Sequence, residues 1–87
     1  MLLGVSLDEE YGRVIRQILV AHPEVKESGV PVLHDYGPDK KIVTLDAGFS
    51  PALTFSEVSA QSDKIAAQIS GALGCETVIR AFPSALP

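Results

Sequence analysis

The stretch from Lys41 to Ala81, KIVTLDAGFSPALTFSEVSAQSDKIAAQISGALGCETVIRA, predicts a strand, a helix and a second strand in succession. Residues 41–49 are rich in β-branched and apolar side chains, which favour a strand. The sequence TFSE at residues 54–57 is a capping box and marks the start of a helix. Side chains at helical spacing follow it and predict the buried stripe of that helix: Phe55, Val58, Ser62, Ile65, Ala66, Ile69 and Leu73.

The end of this stretch predicts how the two strands pair. Gly74 is placed to end the helix in a left-handed conformation. Residues 76–81, around Val78 and Ile79, then predict a strand that Pro83 ends. A helical crossover joins parallel strands of one sheet, and such a crossover is right-handed, so the two strands are expected to be parallel.

The N-terminal region predicts another amphipathic helix. Residues 6–9, SLDE, form a second capping box, and His22-Pro23 predicts the end of the helix. Between them the apolar positions follow the spacing of one helix face: Tyr11, Val14, Ile15, Ile18 and Leu19.

The segment from Val25 to Asp35 predicts a strand at the edge of the sheet. Gly29 weakens it, and Pro31 has no backbone N–H to donate to a ladder. Residues 36–39, YGPD, form a turn cluster, so this strand and residues 41–49 are expected to form an antiparallel hairpin.

The element order predicts an α+β fold, a ferredoxin-like α-β-β-α-β sandwich with a three-stranded mixed sheet. Both helices are expected on one face of the sheet, because each must bury its apolar stripe. We expect Ile18, Leu19, Ile65 and Ile69 to form the core, and residues 1–87 to form a single domain.

The length, net charge and cysteine content of the chain limit the functions that it can have. A domain of 87 residues buries only about 60–65% of its unfolded surface, so dimerisation is a natural supplement to its stability. The net charge of −4 argues against nucleic acid as a partner, because phosphate binding needs a basic face. The only cysteine, Cys75, excludes an internal disulfide and fits a reducing compartment.

Several motifs resemble the C-terminal domain of cation diffusion facilitator transporters. Residues 2–4, LLG, resemble the Leu-Leu-Gly that often joins that domain to the membrane part. Residues 34–38, HDYGP, match the His-Asp-Tyr-Gly-Pro-Gly turn of one bacterial branch, with Asp39 in place of the last glycine. Residues 43–47 and 78–83 lie where that branch has Ser-Leu-His-Val-Glu-like and Val-Ile-His-Met-Asp-Pro strands.

The resemblance also implies where zinc ligands would be expected, and here the chain departs from the family. Those positions fall on Gly29, Asp46, Arg80 and Phe82. Only Asp46 carries a side chain able to ligate a metal, whereas a tetrahedral zinc site needs three or four such groups. We expect the usual site to be lost, and Asp46 and Arg80 to form an ion pair across adjacent strands.

Few other residues are metal candidates. His34 and Asp35, with Asp46, are the positions at which a divalent cation, zinc foremost, would bind weakly; hydrogen bonding within the turn is the preferred interpretation of the first two. His22 is interpreted as a helix-end residue and Cys75 as a small apolar one. No nucleophile signature surrounds any Ser or His, so we expect no enzyme and no resident cofactor.

The resemblance implies a cytoplasmic regulatory and dimerisation domain of a divalent metal cation (Zn/Fe/Mn-type) efflux transporter. The implied partners are a second copy, in a two-fold homodimer, and the membrane domain of a parent transporter if the chain is a fragment. The alternative is a free-standing ferredoxin-like module that binds a small molecule or a metal.

Overall fold

The computed structural model describes residues 9–86. Its elements, in chain order, are α1 (Glu9–Val20), β1 (Val25–Ser28), β2 (Val32–Asp35), β3 (Lys41–Phe49), α2 (Phe55–Leu73) and β4 (Glu76–Pro83). The motif at residues 2–4 lies outside the described residues. The predicted capping box at residues 6–9 also lies outside them, except for its last residue. Neither of the helices in the described part has the length and apolarity needed to cross a membrane.

Strand β3 is the centre of the sheet. On one side it pairs antiparallel with β1 and β2, and on the other it pairs parallel with β4. The predicted antiparallel hairpin and the parallel strand after the crossover are therefore both confirmed. The turn between β2 and β3 closes when Tyr36 N–H donates to the Lys40 carbonyl at 2.8 Å.

The predicted three-stranded sheet is wrong in one respect: it has four strands, because residues 25–35 form two short strands instead of one. Ser28 lies opposite Ala47 and Val32 lies opposite Thr44. Residues 29–31 of this edge therefore lie opposite only two residues of β3, 45 and 46, and the regular pairing of the strands is interrupted there. Pro31, within this break, cannot donate to a ladder. The predicted edge position of the segment is confirmed.

The ends of α2 form as the sequence predicts. The Thr54 side chain accepts from the Glu57 N–H at 3.1 Å, and the Glu57 carboxylate accepts from the Thr54 N–H at 2.8 Å. Gly74 adopts φ 67° and ψ 33°, and its N–H donates to the Ser70 carbonyl. A residue with a Cβ is strained in this left-handed conformation, which explains a glycine at the helix end.

The core lies between both helices and one face of β3. It consists of Ile15, Val43, Leu45, Ala47, Phe49, Ile65 and Ile69. The prediction for Ile65 and Ile69 is confirmed, whereas Ile18 and Leu19 pack against this core only partly buried. Phe55, predicted on the buried stripe, is 89% exposed because it is the first residue of α2, before the turns that cover the sheet.

Replacing Ile65 by alanine should lower the free energy of unfolding by about 2–5 kcal/mol, because its fully buried side chain would leave a cavity. Urea denaturation measures the loss. Ser59→Ala, at an exposed position of the same helix, is the control and should change stability by less than about 0.5 kcal/mol. An equal effect of the two substitutions would contradict the placement of the core.

Candidate functional site on the open face of the sheet

The face of the sheet turned away from the helices carries the candidate site, and we call it the open face. Side chains alternate along a strand. In β3 the odd-numbered residues from Val43 to Phe49 are buried in the core, so the even-numbered ones lie on the open face. The pairing register shows which residues of the neighbouring strands lie beside them. Together the residues of the open face are Glu27, Val32, His34, Ile42, Thr44, Asp46, Gly48, Glu76, Val78, Arg80 and Phe82.

Asp46 and Arg80 form the predicted ion pair. They are register partners on β3 and β4, and Arg80 Nε donates to Asp46 Oδ1 at 2.7 Å. The two side chains are 44% and 70% exposed. Solvent screens a pair this exposed, so it contributes at most about 1 kcal/mol to folding. Its consequence is local: a permanent positive charge lies beside the one carboxylate of the expected ligand set.

The four positions at which the resemblance implies ligands lie together on this face. The Gly29 N–H donates to the Asp46 carbonyl at 2.8 Å, and a Cβ on Gly29 would lie 3.4 Å from the Asp46 Cβ. Phe82 is the register partner of Gly48, and its ring would lie 2.9 Å from a Cβ built there. A guanidinium and a phenyl ring therefore stand where the family resemblance implies imidazole and carboxylate.

Glu27 completes this end of the open face, and sequence reasoning missed it. Its Cγ would lie 2.6 Å from a Cβ on Gly48. The buried Ser84 hydroxyl donates to Glu27 Oε2 at 2.6 Å, and the Ser84 N–H donates to the Phe49 carbonyl. Residues beyond β4 are thus tied to the strand on the far side of β3. The contact between Ser84 and Glu27 depends on the strand register and on the residues after β4, so no local sequence motif indicates it.

His34 and Asp35 lie at the other end, next to the turn. His34 Nε2 is 3.3 Å from Thr44 Oγ1. The His34 ring stacks on Tyr36, with the ring centroids 6.4 Å apart and the planes 8° apart. Asp35 Oδ1 accepts from the Gly37 N–H at 3.0 Å, which is the turn hydrogen bond that the sequence favoured over metal ligation.

The structure does not bring the three candidate metal ligands together. His34 pairs with Ile42, which is four residues from Asp46 on β3, and Asp35 caps its own turn. Within residues 9–86 no group of three or more His, Cys, Asp or Glu side chains is arranged to hold a metal ion.

His22 has a structural environment that the sequence did not predict. It is buried, with Nδ1 3.1 Å from Gln61 Oε1 and Nε2 2.8 Å from Gln68 Oε1. It therefore connects the end of α1 to two turns of α2. The i, i+7 spacing of the two glutamines was the available signal, but it does not reveal which residue lies between them.

Cys75 is half-buried and packs against the core, in line with its interpretation as a small apolar residue. Burial raises the pKa of its thiol, while a hydrogen bond with Thr77 and the charge of Lys41 partly offset that rise. A raised pKa leaves less thiolate at neutral pH, which disfavours both metal ligation and nucleophilic chemistry.

Several solved C-terminal domains have a similar fold. The metal-bound C-terminal domain of the CzcD transporter from Thermotoga maritima gives a TM-score of 0.75 at 14% identity, covering 85% of this chain and 87% of that one. The MamB C-terminal domain, from a magnetosome protein of Desulfamplus magnetovallimortis BW-1, gives 0.72 at 14% identity over 91% and 96%. A doubly substituted MamM C-terminal domain gives 0.73 at 14% identity over 90% and 95%.

These neighbours are C-terminal domains of cation diffusion facilitator transporters. The chain has their fold. The resemblance read from the sequence is thereby confirmed for the architecture, including the ferredoxin-like class. No protein-family model and no curated protein sequence matches the chain.

Replacing Gly48 by alanine should destabilise the domain by about 1–3 kcal/mol, because the new methyl group would press on the Phe82 ring and on Glu27. In a Phe82→Ala background the cost should be smaller, since one of the two obstacles is gone. Thermal or urea denaturation of the double-mutant cycle measures the coupling.

Gly71→Ala is the matched control, because a Cβ there meets nothing within 4 Å. It should be neutral or stabilising by up to about 1 kcal/mol through helix propensity. A Gly48→Ala cost that is the same with and without Phe82 would show that the ring does not lie over this glycine.

Proposed function

We propose that the chain is the regulatory and dimerisation domain of a cation diffusion facilitator, placed at the cytoplasmic face of the membrane beneath the transporter part. Three features support this: the fold shared with the CzcD, MamB and MamM C-terminal domains, the HDYGP turn at residues 34–38, and the order of the weaker motifs along the chain. The proposed role is non-enzymatic.

The observation that carries the proposal is the Asp46–Arg80 pair in the middle of the open face. A guanidinium stays charged at every physiological pH and offers only donors. It therefore repels Zn²⁺ and occupies one oxygen of the only carboxylate available among Gly29, Asp46, Arg80 and Phe82. A tethered cation at this point neutralises Asp46 permanently, whereas a bound metal would do so only when present.

It follows that this domain serves as a scaffold with its usual metal response weakened or absent. In a two-state assembly a ligand shifts the equilibrium only by its difference in affinity for the two states. With no ligand set at these four positions, zinc has no large difference in affinity to contribute there. Weak binding at His34, Asp35 or Asp46 is compatible with the proposal.

The chain should form a two-fold homodimer without added metal. Sedimentation equilibrium at about 100 µM should show mostly dimer, since a functional pair associates well above such weak affinity. The same experiment with EDTA should give the same result. A strict monomer under both conditions would contradict the dimerisation part of the proposal and leave the fold untouched.

Calorimetric titration with Zn²⁺ should show no submicromolar site in the wild-type chain. The matched gain-of-function variant is Gly29→His combined with Arg80→His. It places two imidazoles beside Asp46, where a Cβ on Gly29 already has ordinary contact distances. Three ligands of this kind suit zinc, so this variant should bind it much more tightly than wild type.

Submicromolar binding to the wild type that Asp46→Ala abolishes would contradict the proposal, because the expected site would then be intact. Tight binding that only His34→Ala abolishes would favour the free-standing metal-binding module instead. Failure of the double histidine variant to gain affinity would show that the four positions do not converge on one point.

A further inference from the structure

A cavity of about 520 Å³ lies between the β2–β3 turn and the C-terminal end of α2, and we call it the turn cavity. Its volume is within the range of small-molecule sites. Most of the side chains that line it are charged or polar, which suits a charged ligand better than an apolar one. These polar lining residues are Asp39, Lys40, Lys41, Ser70, Cys75 and Glu76.

The turn that forms one wall of this cavity is held by its own hydrogen bonds. The Tyr36 N–H donates to the Lys40 carbonyl at 2.8 Å. The Lys40 N–H donates to the Gly37 carbonyl at 3.2 Å, and the Gly37 N–H donates to Asp35 Oδ1 at 3.0 Å. These three bonds fix the backbone from which the side chains of Lys40 and Lys41 extend.

The ladder between β3 and β4 places a lysine in the inner part of the turn cavity. Ile42 lies opposite Glu76, so the residues before them, Lys41 and Cys75, are neighbours. Burial raises the pKa of the Cys75 thiol and the charge of Lys41 partly offsets that rise, which shows that the two groups are close. Both are half-buried, as is Ser70. The half-buried part of the lining therefore carries an ammonium group and no carboxylate.

The two lysines of the turn cavity have no partner of opposite charge. Within residues 9–86 the only ion pair lies on the open face, so neither Lys40 nor Lys41 is paired with a carboxylate of this part of the chain. The carboxylates of the cavity, Asp39 and Glu76, are both exposed, and solvent screens exposed charges more than buried ones. Two neighbouring ammonium groups without a partner attract an anion.

We propose that the turn cavity binds a phosphate monoester, with the phosphate group held by Lys40 and Lys41. A phosphate monoester carries a charge of about −1.5 to −2 at neutral pH, which matches two ammonium groups, and lysine binds phosphate as a compact point charge. The rest of the volume takes the organic part of the ester, and the polar lining favours a hydrophilic one. The proposal goes beyond the proposed function, because it uses neither the Asp46–Arg80 pair nor a second copy.

Two features of the turn cavity oppose a phosphate, so the affinity is expected to be modest. The C-terminal end of α2, at Gly74, is the negative end of the helix dipole. Asp39 and Glu76 repel a dianion as well. Removing one of these carboxylates should therefore strengthen binding, whereas removing a lysine should weaken it. These opposite signs distinguish a phosphate site from a cation site.

Titration with inorganic phosphate and with glycerol 3-phosphate, at constant ionic strength set by chloride, tests the site. Backbone amide shifts in NMR spectra should change saturably and only near residues 37–41 and 74–76. Lys40→Gln should weaken the affinity about threefold to fivefold, the effect of one exposed charge pair. Glu76→Gln should strengthen it by a similar factor.

Lys64→Gln, which removes the same charge at an exposed position of α2, is the matched control and should leave the affinity unchanged. Lys41→Gln should also weaken binding, and melting curves establish that each variant is folded. Because Lys40 is exposed, its variant keeps the test valid even if Lys41→Gln unfolds the domain. Absence of saturable shifts, or equal effects of Lys40→Gln and Lys64→Gln, would overturn the proposal. Weaker binding in Glu76→Gln would overturn it too.

A vesicle experiment identifies the source of the phosphate group. The chain is sedimented with vesicles of phosphatidylcholine alone and with vesicles that also contain phosphatidic acid, a lipid with a phosphate monoester headgroup. Sedimentation with the second kind only, lost in Lys40→Gln, would support a lipid headgroup as the ligand. Saturable binding of glycerol 3-phosphate without sedimentation would support a small phosphorylated molecule. Binding of neither would overturn the site and leave the proposed function untouched.

Discussion

The alternation of side chains along β3 is the constraint on which the rest of the structure depends. Its odd-numbered residues from Val43 to Phe49 are buried beneath the two helices, and its even-numbered ones form the middle of the open face. A register slip of one residue would exchange the two sets. Burial of the core therefore fixes where Asp46 lies, and the parallel pairing with β4 then fixes Arg80 beside it.

The chemistry of the open face follows from what these fixed positions carry. Imidazole and carboxylate side chains at these positions would be suitable zinc ligands. Here the guanidinium of Arg80, which belongs to the chain itself, is the positive charge beside Asp46. The apolar ring of Phe82 covers Gly48. The face is neutralised at Asp46 at all times.

Much of the fold could be predicted from local patterns. The bounds of β3 and the two ends of α2 depend on composition, a capping box and a left-handed glycine, all of which are short-range signals. The Asp46–Arg80 pair was also predictable, because the helical crossover makes β3 and β4 parallel and the family resemblance aligned the two positions.

What could not be predicted depends on long-range contacts. The split of residues 25–35 into two strands depends on how three residues fit against two of β3, and composition gives no such count. The placement of His22 between Gln61 and Gln68, and of Ser84 on Glu27, joins residues 39 to 57 positions apart. Only the packed helices and sheet bring these groups within hydrogen-bond distance.

The central claim is that the guanidinium of Arg80 takes the place of a metal ion beside Asp46. The response of the chain to zinc tests this claim most directly. Sedimentation velocity of the wild-type chain in EDTA and in excess Zn²⁺ measures both its association and its compactness. Our account predicts the same sedimentation coefficient in the two conditions. A zinc-dependent increase that disappears in the Asp46→Ala variant would contradict it, because the open face would then still bind metal through its only carboxylate at the expected ligand positions.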